Sequence, residues 1–350
     1  DLAPQFLWLK RKGILSASAY YVLWQWAVRR ALDCSKFDVV HHVTFNSFLV
    51  PGFWKVGEAK LVLGPLGGGM VTPHSYLRLF PLMGWGQKLR TFVVSNVLRL
   101  PWVNRAYHRA DVVFCANKET FARLSQAYGE KVRLHLDAGV GSSSAVKKGK
   151  EDRDVCEFAV VGNLIPRKGW KLALEALARA ESRGSHGKIR LCFIGAGKDF
   201  EMAKLEADRL GVTSSVTWHG KVPHGEVGEL LASADVLLFP SVRDTSGYVV
   251  LEAMKEGLPV ICLDHQGAKI MTDETTALRV PVAKYQETVE RLCDAIERLA
   301  ADEEMRLDMG QKGRQRVEQL FLWERKGEFM LKQYDELFSG KCSSKINDKS

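Results

Sequence analysis

The chain has 350 residues, 46% hydrophobic and 26% charged. That balance excludes disordered and fibrous classes and suits two domains of ordinary size. The net charge is +9, unevenly placed: residues 1–150 carry 21 Lys/Arg against 8 Asp/Glu, a charge of +13, while residues 151–350 carry 29 against 33, a charge of −4. No apolar run is long enough for a spanning helix. The opening Asp1-Leu2-Ala3-Pro4 has neither an initiator Met nor the basic start of a signal peptide, which predicts a trimmed or partial chain. Seven cysteines (34, 115, 156, 192, 262, 293 and 342) are odd in number and scattered, with no C-x-x-C. They predict neither a disulfide framework nor a zinc site, and they fit a reducing cytoplasm.

In chain order, residues 1–35 read as helix, rich in Trp, Tyr and Leu. Phe37-Asp-Val-Val-His41 and Lys60-Leu-Val-Leu63 read as strands, the second running into Gly64-Pro-Leu-Gly-Gly-Gly69. Residues 86–109 are amphipathic and basic, helical on either side of Pro101. Between Glu58 and Asp111 there is no acid and there are seven basic residues: Lys60, Arg78, Lys88, Arg90, Arg99, Arg105 and Arg109, interleaved with Leu, Phe, Trp and Tyr. Such a surface suits nucleic acid, an anionic lipid or a phosphorylated substrate, or is simply a solvated face over a core of aromatics. A strand at 110–115, a helix from Lys118 stopped by Gly129 and a strand at 131–135 complete the first series. Gly139 to Asp154, rich in Gly, Ser and Lys, marks the boundary. Strands at 158–161, 189–194, 216–219, 235–239 and 259–263 then alternate with helices at 169–182, 199–210, 224–233 and 247–256, and helices continue to about Phe338. The tail 339–350 reads as disordered. Alternating apolar strands and helices predict parallel sheets covered on both faces. The echo of Arg109-Ala-Asp-Val-Val-Phe-Cys-Ala in Ser233-Ala-Asp-Val-Leu-Leu-Phe-Pro, with the charge step and the linker, predicts two facing Rossmann-like domains, 1–145 and 155–320.

Phe239 to Val260 carries the strongest signal. A strand ends at Phe239, a polar loop follows, and a helix runs from Gly247 to a Gly257–Pro259 stop. A helix start offers amides and a positive dipole end to an anion, and Gly247 allows close approach. Asp244 and Glu252, eight apart, could accept hydrogen bonds from hydroxyls at two ends of a ligand. Equally, Asp244, Thr245 or Ser246 could merely cap the helix, with Glu252 paired to Lys255. Val160-Val-Gly-Asn-Leu-Ile-Pro-Arg-Lys-Gly169 ends another strand with two cations. Phe193-Ile-Gly-Ala-Gly-Lys198 is a strand entering a glycine turn that lacks the third glycine of a dinucleotide fingerprint.

The segment 240–260 resembles the acidic-x7-acidic signature of retaining glycosyltransferases of family four, which have the GT-B fold; Leu251-Glu-Ala-Met254, Gly257 and Pro259-Val260 carry the match. The resemblance implies that Glu252 holds the ribose hydroxyls of a nucleotide sugar and that Asp244, one methylene shorter than the usual Glu, contacts the sugar. It implies that amides around Ser246, Gly247, Tyr248 and Val249 hold the distal phosphate. Lys168 matches the family lysine on the diphosphate. Asn163 stands where the family has Arg, and Arg167 is the candidate replacement. The Gly195–Gly197 turn and Thr217-Trp-His-Gly-Lys-Val222 match segments bordering the nucleotide, with an ordinary turn and strand as the other reading. Asp38-Val-Val-His-His-Val-Thr-Phe-Asn46 matches the segment holding a sugar-contacting histidine. His42 is taken for it over the adjacent His41, with a buried structural histidine as the alternative. Gly67-Gly-Gly69 resembles a glycine-rich loop of a bacterial branch, or is a tight turn. Phe321-Leu-Trp-Glu-Arg325 opens the match to a C-terminal crossover helix, 321–338.

The resemblance spans about 36–338. A first strand, acceptor loop and helix before Asp38 are not found, so the first domain is expected to be incomplete. The expected activity is transfer of a hexosyl group from a UDP- or GDP-linked sugar to a glycan, lipid-linked or other acceptor, with retention. No metal or other cofactor is expected: Asp152-Arg-Asp154 sits in the linker and reads as solvated. Nucleic acid is not an expected partner. The basic first domain is expected to meet an anionic membrane, peripheral on its cytoplasmic face. A nucleotide-sugar epimerase of the same fold and a non-catalytic membrane-binding module are the alternatives.

Overall fold

The computed structural model describes residues 17–43, 45, 47–142 and 154–339. Residues 1–16 of the expected first helix, Thr44, Asn46, most of the linker with Asp152 and Arg153, and the tail from 340 lie outside the described residues. The chain divides into two compact units. One holds residues 1–70, 91–137 and 328–350; the other holds 71–90 and 138–327. Each is an α/β unit on a parallel sheet, as the alternation of strand and helix predicts.

In the first unit, β1 (Val39–His42), β2 (Lys60–Leu66), β3 (Val112–Cys115) and β4 (Val132–Leu134) lie side by side in sequence order. All three pairings are parallel. Val62, Val112 and Phe114 form an apolar patch that Phe329, Met330, Tyr334 and Leu337 cover. These four lie on helix Trp323–Ser339 at spacings that keep them on one face. Arg133 fixes that helix through Glu336 at 2.9 Å.

The second unit has six strands: β5 (Cys156–Val161), β6 (Ile189–Ile194), β7 (Val216–Gly220), β8 (Val236–Phe239), β9 (Val260–Leu263) and β10 (Ala277–Val280). Their spatial order is β7-β6-β5-β8-β9-β10. Numbered within the unit, that is 3-2-1-4-5-6, the doubly wound order whose direction reverses between its first and fourth strands. Strands β8 and β9 are buried throughout, which accounts for their unbroken apolar runs. Strand β10 is absent from the sequence reading: Ala277-Leu-Arg-Val280 is four residues long with a charge inside, too short for periodicity to separate from a loop. Residues 71–90 join this unit because Tyr76 is fully buried in its core, its hydroxyl 2.9 Å from Thr288 Oγ1. Arg78 lies 4.2 Å above the Tyr285 ring.

Candidate active site

At the reversal of an open α/β sheet, helices leave on opposite faces and the strand ends open a crevice. Here that point lies beyond Val161 of β5 and Phe239 of β8, paired neighbours through Phe158↔Val236 and Ala159↔Leu237. The turns that follow are the two segments with the strongest sequence signals, and the sheet brings them together. Lys168 Nζ and Asp244 Oδ2 form an ion pair, with Arg167 Nη1 3.8 Å from Asp244 Oδ1. The loops are locked by their backbones: Val242 N–H and Arg243 N–H both donate to Arg167 O, at 2.9 and 3.3 Å. Arg167 Nη1–H donates in return to Arg243 O at 3.2 Å. Beside them Gly162, Asn163, Lys168 and Phe239 line a shallow, open concavity.

Helix Tyr248–Lys255 starts from Gly247 at φ +67°, a left-handed conformation in which a Cβ would lie 2.7 Å from Phe239 Cζ. Ser246 and Val249 are buried, and Tyr248 is exposed. Glu252 is half-buried one turn further on, and burial raises its carboxyl pKa against the opposing charge of His224. Asn163 is exposed at the end of β5 and brings no charge. The glycines of the 195–197 turn have a packing reason of their own: a Cβ on Gly195 would lie 2.2 Å from Gly162 O, and one on Gly197 2.3 Å from Leu164 O. They bring the β6 turn against the β5 turn, whatever they do to a ligand.

Three residues outside the sequence reading complete the site. Asp244 N–H donates to Gln266 Oε1 at 2.6 Å, and His265 Nε2–H donates to Ser241 O at 3.0 Å. Ser241 Oγ–H is 3.2 Å from Arg167 O and 3.5 Å from Asp244 Oδ2. Gln266 holds φ +55°, rare for a residue with a side chain and characteristic of functional turns. The available signal was Asp264-His-Gln-Gly267 after β9, a polar turn closed by a glycine.

His42 belongs to the first unit and is buried, with both ring nitrogens engaged. Tyr21 Oη lies 2.5 Å from Nε2, and Nδ1 lies 3.1 Å from Pro51 O. His41 is committed likewise, to Tyr334 Oη at 2.6 Å and Gly64 O at 2.7 Å. Cys293, Asp294 and Glu297 cluster closely enough to suggest a metal. Arg183 already fills that place, 2.7 Å from Asp294 and 2.9 Å from Glu297, and burial pushes the Cys293 thiol up to about 12.

The profile of the family "Glycosyl transferases group 1" matches residues 144–316. The lipopolysaccharide glucosyltransferase WaaG of Escherichia coli is 39% identical over 101 residues, which is 29% of this chain and 26% of that protein. A GDP-mannose-dependent phosphatidylinositol monomannoside mannosyltransferase of Mycobacterium tuberculosis is 28% identical over 254 residues, 66% of this chain and 62% of that protein. The chain thus spans between about a quarter and about three fifths of the curated relatives it matches. Among solved structures, a sucrose-phosphate synthase from Thermosynechococcus elongatus superposes with a TM-score of 0.66 at 20% identity, covering 91% of this chain and 78% of that one. WaaG superposes at 0.62 and 19%, covering 93% and 83%. At those identities the likeness is one of fold.

Proposed function

We propose, for a chain that belongs through residues 144–316 to the glycosyl transferases group 1 family, the transfer of a hexosyl group from a nucleoside diphosphate sugar to a glycan or lipid-linked hydroxyl. The observation that carries this reading is the meeting of Lys168, Asp244 and the Gly247 helix start at the reversal of a 3-2-1-4-5-6 sheet. In the reaction the bond from the sugar C1 to the diphosphate oxygen breaks and the acceptor oxygen bonds to C1. The acceptor proton passes to the departing diphosphate. Charge builds on that diphosphate, so a cation and helix-start amides aimed at it lower the barrier. Lys168 is the cation, exchanging Asp244 for phosphate when the donor binds. Asp244, so released, accepts from sugar hydroxyls, and Glu252 from the ribose. Retention is what the resemblance of segment 240–260 to the retaining family implies; no side chain of the site stands out as a nucleophile, so the mechanism rests on positioning and leaving-group stabilisation. A sugar contact from His42 requires Nε2 to give up Tyr21. UDP and GDP are the donors to test: a relative's name specifies GDP-mannose, and a solved neighbour holds UDP and glucose. Calorimetry on the full chain should find one of them binding. Turnover should persist in EDTA, since Lys168 and the helix start supply the positive charge. Loss of turnover on chelation, restored by Mg²⁺ or Mn²⁺, sinks the metal-independent mechanism; no binding by any nucleoside diphosphate sinks the whole reading.

A second reading concerns where this happens. No described helix is long and apolar enough to cross a membrane. Helix Trp85–Asn96, however, exposes Trp85 (69%), Leu89 (56%) and Phe92 (67%) at i, i+4 and i+7 along one face. Lys88, Arg99 and Arg105 are exposed nearby in sequence, within the acid-free stretch. An apolar stripe with basic neighbours fits the surface of an anionic bilayer, each cation contributing about 1 kcal/mol near such lipid. The chain would then work peripherally at a cytoplasmic membrane face. Sedimentation should rise with the phosphatidylglycerol content of vesicles, and Trp85→Ser with Phe92→Ser should abolish the part that resists salt. Indifference to anionic vesicles at low salt ends this reading.

A further inference from the structure

Segment 71–90 brings two more residues to the Asp244 loop. Gln87 and Arg90 stand at i and i+3 on helix Trp85–Asn96, neighbours on its surface. Gln87 Oε1 accepts from Arg243 Nη1–H and, at 3.3 Å, from Thr72 Oγ1–H. Arg243 is the residue before Asp244, and its backbone carbonyl is the one that Arg167 holds at 3.2 Å. Arg167 and Arg243 thus meet at one loop, with Lys168 beside them, and the charge of Arg90 is felt at Arg243. Two of the cations, Lys168 and Arg167, share the single carboxylate of Asp244. Arg243 spends its bond on a neutral amide. Burial, then the like charges of Arg90 and Arg167, bring its pKa down to about 10, against the pull of Asp244. It therefore stays charged at neutral pH, at a cost in free energy. Burial also lowers the pKa of Arg90. Half-buried like charges are costly to hold together, and an anion among them removes the cost. A planar guanidinium is also the side chain best matched to a carboxylate or phosphate. The donor diphosphate is already provided for by Lys168 and the helix start.

We propose that Arg243, with Arg90 and Arg167 beside it and Gln87 holding it in place, binds a second anion: a carboxylate or phosphate carried by the transferred sugar or by the acceptor. This deepens the reading of the site as a glycosyltransferase and rests on it. Donor and acceptor are the two sources of one chemistry, and the experiment separates them.

Inorganic phosphate is the first probe, titrated calorimetrically into the full chain with and without saturating nucleoside diphosphate. The expected result is that phosphate binds in both conditions, and that Arg243→Gln weakens it at least tenfold while changing nucleoside diphosphate affinity less than threefold. Arg243→Gln should leave the ligand-free melting temperature unchanged or higher, because it removes a buried charge among like charges. Gln87→Ala is the second variant: it should weaken phosphate with no change in melting temperature, and Arg243→Lys should restore only part of the affinity. Two further arms name the source. A nucleoside diphosphate hexuronate is compared with the hexose, and glucose 6-phosphate with glucose. Whichever anionic member gains affinity that Arg243→Gln removes identifies donor or acceptor. Phosphate fully displaced by nucleoside diphosphate overturns the proposal, because the cluster is then part of the diphosphate site. So does an unchanged phosphate affinity in Arg243→Gln, or no gain in either arm. Failure of any nucleoside diphosphate to bind, with Arg243-dependent phosphate binding intact, instead removes the transferase reading and leaves an anion site.

Discussion

The two sheets are made of the same material, short parallel strands of apolar residues, yet their described strands differ in order. In the first unit the described strands run in sequence order, β1-β2-β3-β4, with no reversal among them. In the second, the order reverses between β5 and β8, and the two turns at that reversal hold Lys168 and Asp244. Strand composition is therefore silent about which turns meet; strand order decides it. The histidines make the same point from the other side. His41 and His42 end a strand with no reversal beside it among the described strands, and both spend their nitrogens on the first unit's own groups.

The sharpest way to break this contrast is at the reversal itself. Lys168→Met keeps the bulk of the side chain and removes the charge. If the reversal is the reacting centre, turnover should fall by about 10²–10³-fold, the scale on which single groups stabilising a transition state act. Arg167 remains 3.8 Å from Asp244, so the loop keeps a cation and should stay folded. A loss below tenfold, measured with saturating donor, would place the chemistry elsewhere.

Glu252→Gln should have the next largest effect. In the proposed donor complex it takes a carboxylate from ribose hydroxyls and replaces charge-assisted hydrogen bonds with neutral ones, an expected loss of about 1.5–3 kcal/mol, or roughly 10–150-fold in nucleotide affinity. Burial raises the Glu252 carboxyl pKa. Just above the ordinary 4.5 the folded state therefore binds more protons than the unfolded state, and this group's contribution to stability falls as pH rises through that window. Gln removes that penalty, so the variant's melting temperature at pH 7 should equal or exceed the parent's. The parent's nucleotide affinity should fall on acidification at a pH above the usual carboxylate range, and the variant's should not. Equal affinity in the two proteins removes Glu252 from the site.

The turns at 160–169 and 239–260 were legible because strand, turn and helix start are contiguous there, and each residue type announces its backbone role. Gly247 is an example: its positive φ and its closeness to Phe239 follow from one local step. What the sequence hides is what distant segments bring. Gln87 and Arg90 reach the Asp244 loop because Tyr76 buries itself in the second unit's core, and nothing within 71–90 signals that burial. For the same reason Arg90, which reads as one of a row of surface cations, is half-buried, while Lys88 two residues away is exposed. Gln266 was missed because a glutamine gives no warning of a positive φ. The glycines at 195 and 197 were legible as a turn, but their closeness to the β5 turn is a fact of sheet order.

The smallest expected effect on the reaction, and so the finest test of the contrast, is at His42. Its Nδ1–H donates to the Pro51 carbonyl at 3.1 Å, and its Nε2 lies 2.5 Å from the Tyr21 hydroxyl, so both ring nitrogens are engaged inside the first unit. His42→Leu leaves the Tyr21 hydroxyl and the Pro51 carbonyl without that partner in a buried place, at about 1–3 kcal/mol each way. The melting temperature should therefore fall. Nucleoside diphosphate affinity should stay within twofold, because the second unit's site contains neither group. The decisive comparison is between the bare nucleoside diphosphate and the sugar-bearing donor. If His42 serves only the first unit's interior, both affinities are unchanged. If it gives up Tyr21 to touch the sugar, the donor alone loses affinity. In that case Tyr21→Phe, which frees Nε2 without removing the ring, should strengthen donor binding rather than leave it unaltered.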